Sequence, residues 1–311
     1  MANNEQRGKD ALKNLERELN SRDRKENSAP WTIAALSAVV IVAAAGGVYM
    51  LANQDGGDDS TQASSESSAE TSPQKPTDAQ PLALARANAL PDTVTCSYPA
   101  DAAPAAKDAG TPPTDNISTT GTVTVNLDTS AGPIGMELDR AVAPCTVNSI
   151  EYLASKGYFD DTVCHRLTTN DNLKVLQCGD PGGTGSGGPG FTFANEYPTD
   201  EALEKLDISA IPEGLPAEQA DQYKGQLLQA EPQVNYERGT IAMANAGLNT
   251  NGSQFFLNYG DSVLPPAYTY FGKISDEGLA TLDNIAKVGV EGGQTDGAPA
   301  NEVKITKAAV A

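Results

Sequence analysis

Basic residues are scarce in this chain. Lys and Arg number 21 against 41 Asp and Glu over 311 residues, a formal net charge of −20. An acidic surface repels phosphate backbones, which argues against nucleic acid as a partner; the plainer role of the charge is solubility. Histidine is scarcer still, with His165 alone. Its spacing to Cys164 and Cys178 fits no usual zinc site. The Gly-rich run 182–190 lacks the Gly-Lys-Ser/Thr ending of a phosphate loop, so its glycines read as tight turns or as places where backbone approaches a peptide. No metal and no cofactor is expected.

The N-terminal region is segregated by composition. Residues 1–30 carry seven basic and six acidic side chains, and residues 31–52, from Trp31 to Ala52, are uncharged and apolar. A helix of that length reaches about 33 Å, against about 30 Å for a hydrocarbon core. The run is longer than the apolar region of a secretory signal, and Met50-Leu51-Ala52 is a poor cleavage site. No Cys near its end offers lipid attachment. An uncleaved transmembrane anchor is therefore expected, in preference to a cleaved signal or a buried core helix. Basic residues crowd its N-terminal side and none follows until Lys75. The positive-inside rule then places residues 1–30 in the cytoplasm and the rest outside. All four cysteines, Cys96, Cys145, Cys164 and Cys178, follow the anchor. In an oxidising compartment they predict two disulfides, with three possible connectivities, or else free buried thiols.

Residues 53–92, rich in Asp, Ser, Gln and Pro, have the composition of a disordered linker. Residues 93–119 read as an N-terminal arm, pinned to the domain by Cys96. Beyond Gly121 the pattern becomes one of short strands. Residues 122–127 alternate, and Gly132-Pro133 opens a turn region before Ile134. Strands are also expected at 162–168, 174–178, 240–244, 254–259, 268–274 and 303–305. Helical spacing covers 146–156, ending at Gly157, and 277–288. Residues 198–235 read as an acidic surface insertion. Many short strands with two clear helices predict a mainly β fold, a closed antiparallel barrel capped by helices.

Three motifs carry a resemblance. Met243-Ala-Asn-Ala-Gly-Leu-Asn-Thr-Asn-Gly-Ser-Gln-Phe-Phe256 is too rich in Gly and Asn for a helix and reads as an irregular loop feeding a strand. Cys164-His165-Arg166 precedes Val175-Leu176-Gln177-Cys178-Gly179-Asp180, and Leu264-Pro-Pro-Ala-Tyr268-Thr-Tyr-Phe-Gly272 follows. In their order along the chain they resemble the signatures of the cyclophilin peptidyl-prolyl isomerases, and the anchored layout resembles the actinobacterial type. The resemblance implies an eight-stranded barrel over residues 120–309 and rotation of X-Pro bonds in extracytoplasmic proteins as they fold. It also implies proline-containing polypeptides as partners, with a monomeric catalytic domain.

Prolyl isomerisation needs no nucleophile. Its barrier of about 18–20 kcal/mol comes from C–N double-bond character. A donor aimed at the imide nitrogen weakens that resonance, and a guanidinium presents fixed N–H groups. Alone, Arg166 reads as a surface ion-pair residue; with the motifs it is the expected donor. The resemblance assigns catalysis to Arg166, Gln177 and Phe256. It forms the proline pocket from Val175, Met243, Ala244, Phe256, Leu264 and Tyr268, and holds the peptide with Gln177, Asn245 and Gln254. If 162–168 is one strand, Cys164 and Arg166 share a face and His165 points away as a structural hydrogen-bonder. If Arg166 and Gln177 also face one ligand, Cys164 and Cys178 lie on opposite faces of the hairpin, which predicts Cys145 paired with Cys164 or Cys178 and Cys96 with the other.

The chain also departs from the pattern. The Arg166–Gln177 loop is longer than in the familiar eukaryotic form. Lys174-Val175 replaces an aromatic-Met pair, so that either Leu173 fills the ring's place or the pocket is shallower. Val263 stands for the Trp that binds cyclosporin, and Tyr268 for a pocket His. A proline-peptide-binding chaperone or scaffold with little turnover is the competing reading.

Overall fold

The computed structural model describes residues 79–311. The anchor expected at 31–52 lies outside these residues. No described helix is long and apolar enough to cross a membrane.

Alternation builds the first hairpin. Along β4 (Thr122–Thr129) Val123, Val125 and Leu127 are buried while their neighbours face water. Along β5 (Gly132–Asp139) the buried set is Ile134, Met136 and Leu138. Thr129 pairs with Gly132, so the turn is Ser130-Ala131 and the segment expected to begin a turn region is itself a strand. Gly132 adopts φ +130°, which favours glycine. Further strands follow: β6 (Thr162–Val163), β7 (Arg166–Thr168), β8 (Val175–Cys178), β10 (Thr240–Met243), β11 (Phe255–Asn258), β13 (Tyr270–Ile274), β14 (Asp296–Gly297) and β15 (Lys304–Val310). They form one curled sheet of ten strands in the order β14-β7-β8-β11-β10-β13-β5-β4-β15-β6. Only Cys164 and His165 separate β6 at one end from β7 near the other, so the sheet curls round. Among the described residues no ladder joins the two ends. The structure is thus a curled mainly β sheet, where a closed eight-stranded barrel was expected.

Helix α1 (Pro144–Ser155) packs on β4 and β15 through Val147, Ile150 and Leu153. Proline at its start costs no hydrogen bond. Glu196 accepts the Cys145 and Thr146 N–H groups at that end, at 3.0 and 2.8 Å. Helices α2 (Thr199–Lys205) and α3 (Ala217–Ala230) lie within the acidic insertion. Helix α4 (Asp276–Val288) packs on β5. Ser275 caps it, its side chain accepting the Gly278 N–H at 3.0 Å. Among the described residues four α-helices therefore stand where two were clear from spacing.

Two expectations are corrected. Residues 79–92 are not linker. Strand β1 (Gln80–Pro81) pairs with β9 (Val234–Tyr236), Leu82 is buried, and β2 (Thr93–Val94) pairs with β3 (Ile117–Ser118). The disulfides are Cys96–Cys145 and Cys164–Cys178. The chain is not one strand through 162–168. It breaks at Cys164 and His165, and the Cys164 N–H donates instead to the Val303 carbonyl. That break removes the alternation and brings the Cα atoms of Cys164 and Cys178 to 4.0 Å.

Candidate active site

One row of the sheet carries the three residues expected to be catalytic. Arg166 on β7 pairs with Gln177 on β8, and Gln177 pairs with Phe256 on β11. Directly opposed residues project to the same face. Arg166, Gln177 and Phe256 there line one pocket with Leu173, Val175, Leu264 and Tyr268. Val175 reaches it because it lies two residues from Gln177. The Lys174 side chain lies over Gly260 instead. Leu173, at the end of the lengthened hairpin loop, takes part of the wall. Phe256 is held edge-on between Tyr268 and Tyr236, with ring centroids 5.7 and 6.4 Å away. The Tyr236 hydroxyl donates to the Tyr268 carbonyl at 2.7 Å. Burial raises the Tyr268 hydroxyl pKa, against the pull of Arg166, so it remains a neutral phenol.

Polar groups border this apolar floor. Arg166 Nε and Nη2 each donate to an Asp296 carboxylate oxygen at 2.7 Å. Arg166 Nη1 donates to Gln177 Oε1 at 3.4 Å. Gln177 Nε2 donates to Gln254 Oε1 at 3.0 Å, and Gln254 Nε2 donates to the Gly185 and Gly187 carbonyls at 2.9 and 3.0 Å. The glycine loop is itself ordered by buried Asp180. That carboxylate accepts the Gly182, Thr184 and Gly185 N–H groups at 2.7, 2.9 and 2.7 Å. Burial pushes the Asp180 pKa up, but these bonds and one from Gly187 outweigh it and hold the carboxyl below its usual value. His165 is lowered mainly by burial. Its Nδ1 is buried without a hydrogen-bond partner, where a structural hydrogen-bonder was expected.

The remaining predicted residues sit beside this pocket rather than on its lining. Met243 is fully buried at the end of β10. The Ala244 N–H donates to the Gln254 carbonyl at 2.9 Å. Asn245 Nδ2 donates to the Ala267 carbonyl at 3.0 Å, bracing the signature loop against the Leu264–Tyr268 segment. Asp296, the ion-pair partner of Arg166, was not foreseen from sequence. It lies in the Gly-rich stretch 291–299, 130 positions from Arg166, and no local pattern marks it.

Such a curled, mainly β sheet, with an arginine bordering an aromatic-floored pocket, is of the cyclophilin type. Residues 123–310 match the family model described as cyclophilin type peptidyl-prolyl cis-trans isomerase/CLD. The chain belongs to the cyclophilin family. It is 50% identical over 212 residues to the probable peptidyl-prolyl cis-trans isomerase B of Mycobacterium tuberculosis, covering 68% of this chain and 62% of that one. The probable isomerase B of Mycobacterium leprae is 49% identical over 213 residues, covering 68% and 65%. The chain thus spans less than two thirds of these relatives' length. The isomerase-like 1 protein of Gibberella zeae is 33% identical over 190 residues, covering 61% of this chain and 95% of that one.

Proposed function

We propose that this chain is a peptidyl-prolyl cis-trans isomerase acting on proline-containing polypeptides. The observation that carries the reading is the row of Arg166, Gln177 and Phe256 along one apolar pocket. A proline ring seats against Phe256, Leu264, Val175 and Leu173. Arg166 then donates toward the imide nitrogen, favouring its pyramidal form. That interaction strengthens only as the bond twists, so it lowers the barrier rather than stabilising the ground state. Three of the five guanidinium N–H donors are engaged within the protein, which leaves two for substrate. The test is a protease-coupled assay of an X-Pro tetrapeptide with the full-length chain. Arg166→Ala should lower kcat/KM by about 100-fold, the scale of losing one aimed donor. An unchanged rate in that variant would sink the proposed role.

We further propose that the domain works outside the cytoplasmic membrane, tethered through residues 31–52. Two disulfides among the described residues support an oxidising compartment. X-Pro isomerisation is slow enough to limit folding there. Protease added to intact cells should remove the domain. Protection until the membrane is breached would argue for the opposite orientation.

A further inference from the structure

We infer that Asp296 is a positioning residue for Arg166, setting which guanidinium N–H groups face the substrate. The inference rests on the isomerase reading above and deepens it. Asp296 takes the Nε and Nη2 edge of Arg166 in two parallel bonds of 2.7 Å. Such a fork fixes the plane of the guanidinium as well as its position. Gln177 meets Nη1 from the other side, and its own amide is oriented by Gln254. The guanidinium is therefore held along two edges, and its free N–H groups are confined to the remaining directions.

Backbone geometry puts the carboxylate there. Strand β14 pairs Asp296 with Thr168 and Gly297 with Leu167. Arg166 lies two residues from Thr168, so Asp296 and Arg166 are diagonal neighbours on one face of the sheet. The segment is itself braced: the Thr169 N–H donates to the Thr295 carbonyl at 2.8 Å and the Glu291 N–H to the Ala298 carbonyl at 2.9 Å.

Two physical consequences favour a catalytic purpose over a purely structural one. An arginine side chain is flexible, and an unrestrained one spends part of its time aimed elsewhere; the carboxylate removes that loss before substrate arrives. A peptide settling over a lone cation would also desolvate an unpaired charge, whereas here it covers a neutral pair. As a fold-stabilising contact the pair counts for little, because Asp296 is 46% exposed.

The test uses the full-length chain and separates kcat from KM. Asp296→Ala should lower kcat by about tenfold with KM within about twofold, the worth of a charge-assisted bidentate contact made before the chemistry. Asp296→Asn, which still accepts from one N–H, should lose only about threefold. In an Arg166→Lys background, where no fork can form, Asp296→Ala should change kcat by less than about twofold. Wild-type kcat in Asp296→Ala, the same factor of loss in the Arg166→Lys background, or a loss confined to KM would each overturn the inference. If Arg166→Ala is impaired while Asp296→Ala is not, the positioning role fails and the isomerase reading stands. If Arg166→Ala itself keeps full rate, the underlying reading fails.

Discussion

Asp180 keeps its charge in a place with no access to water, because the backbone of the glycine loop supplies the hydrogen bonds that water would. Its depressed pKa has a defined sign in stability. The unfolded chain holds the proton more tightly, with an ordinary value of about 3.9. The stabilisation is complete above that pH and is lost as pH falls through the lower folded value. Thermal midpoints should therefore drop below about pH 4, and Asp180→Asn should flatten that acid limb. The same variant should cost about 1–3 kcal/mol at pH 7 by leaving buried N–H groups poorly paired. An acid limb of the same steepness in Asp180→Asn would refute the assignment. From sequence Arg166 was either an ion-pair residue or an imide donor; in the structure it pairs with Asp296 at the border of the pocket, and the donor role is the one proposed above. Val263 stands on β12 (Ser262–Leu264) with its N–H donated to the Asn172 carbonyl at 2.9 Å. The chain's one Trp is Trp31, so among the described residues no indole borders the pocket. Cyclosporin should inhibit weakly; complete inhibition at nanomolar drug would contradict this.

The β7–β8 hairpin is the element on which sequence and structure part most sharply. Both strands were legible as runs of β-forming residues, and the resemblance placed Arg166 and Gln177 at one site, but their direct pairing was not read from sequence. The break at Cys164 and His165 was not legible, because alternation assumes an uninterrupted strand, whereas here the chain pairs with β15 up to the Cys164 N–H, which meets the Val303 carbonyl, and with β8 from Arg166. Long amphipathic elements such as β4 and α4 could be read from sequence because their periodicity is local. Two-residue strands such as β14 have no period, and their positions are set by tertiary pairing. The Cys164–Cys178 bridge closes the hairpin beside Arg166 and Gln177. Replacing both cysteines by serine should cost about 3 kcal/mol, the loop-closure worth of a bridge spanning 14 residues. It should also lower kcat, since the cross-strand pair at the pocket loses its nearest constraint. Unchanged urea midpoint and rate in the double variant would show the hairpin to be fixed by its ladder alone. Gly179 adjoins this bridge at φ +96°, and any Cβ there would run into the Ser253 carbonyl.

At the scale of the whole molecule, the folded unit begins well before the 123–310 segment matched by the family model. Residues 79–119 form a strap around the domain. The Arg86 guanidinium donates to the Val142 carbonyl through Nε and pairs with Asp200 through Nη2. Tyr98 packs edge-on against Phe191 and Phe193 and donates to the Cys145 carbonyl at 2.7 Å. Lys107 donates to the Gly157 and Asp160 carbonyls. Strand β9 lies between β1 of the strap and β12, which carries the pocket residue Leu264. The strap thus braces the acidic insertion and, through it, one wall of the pocket. Composition hid this, because a strap that binds mainly through backbone pairing and a few anchors needs no hydrophobic period. Removing 79–119 would expose the surfaces under Leu82, Tyr98 and Ile117, each worth about 1.5–3 kcal/mol of burial. It would also delete the Cys96–Cys145 bridge, worth about 2–4 kcal/mol. Domains of this size hold about 5–15 kcal/mol in total. A fragment of 120–311 should therefore be largely unfolded by circular dichroism at 25 °C, while 79–311 unfolds cooperatively in urea. Should 120–311 unfold at the same urea concentration as 79–311, the strap is a surface appendage, and the pocket wall stands on the insertion alone.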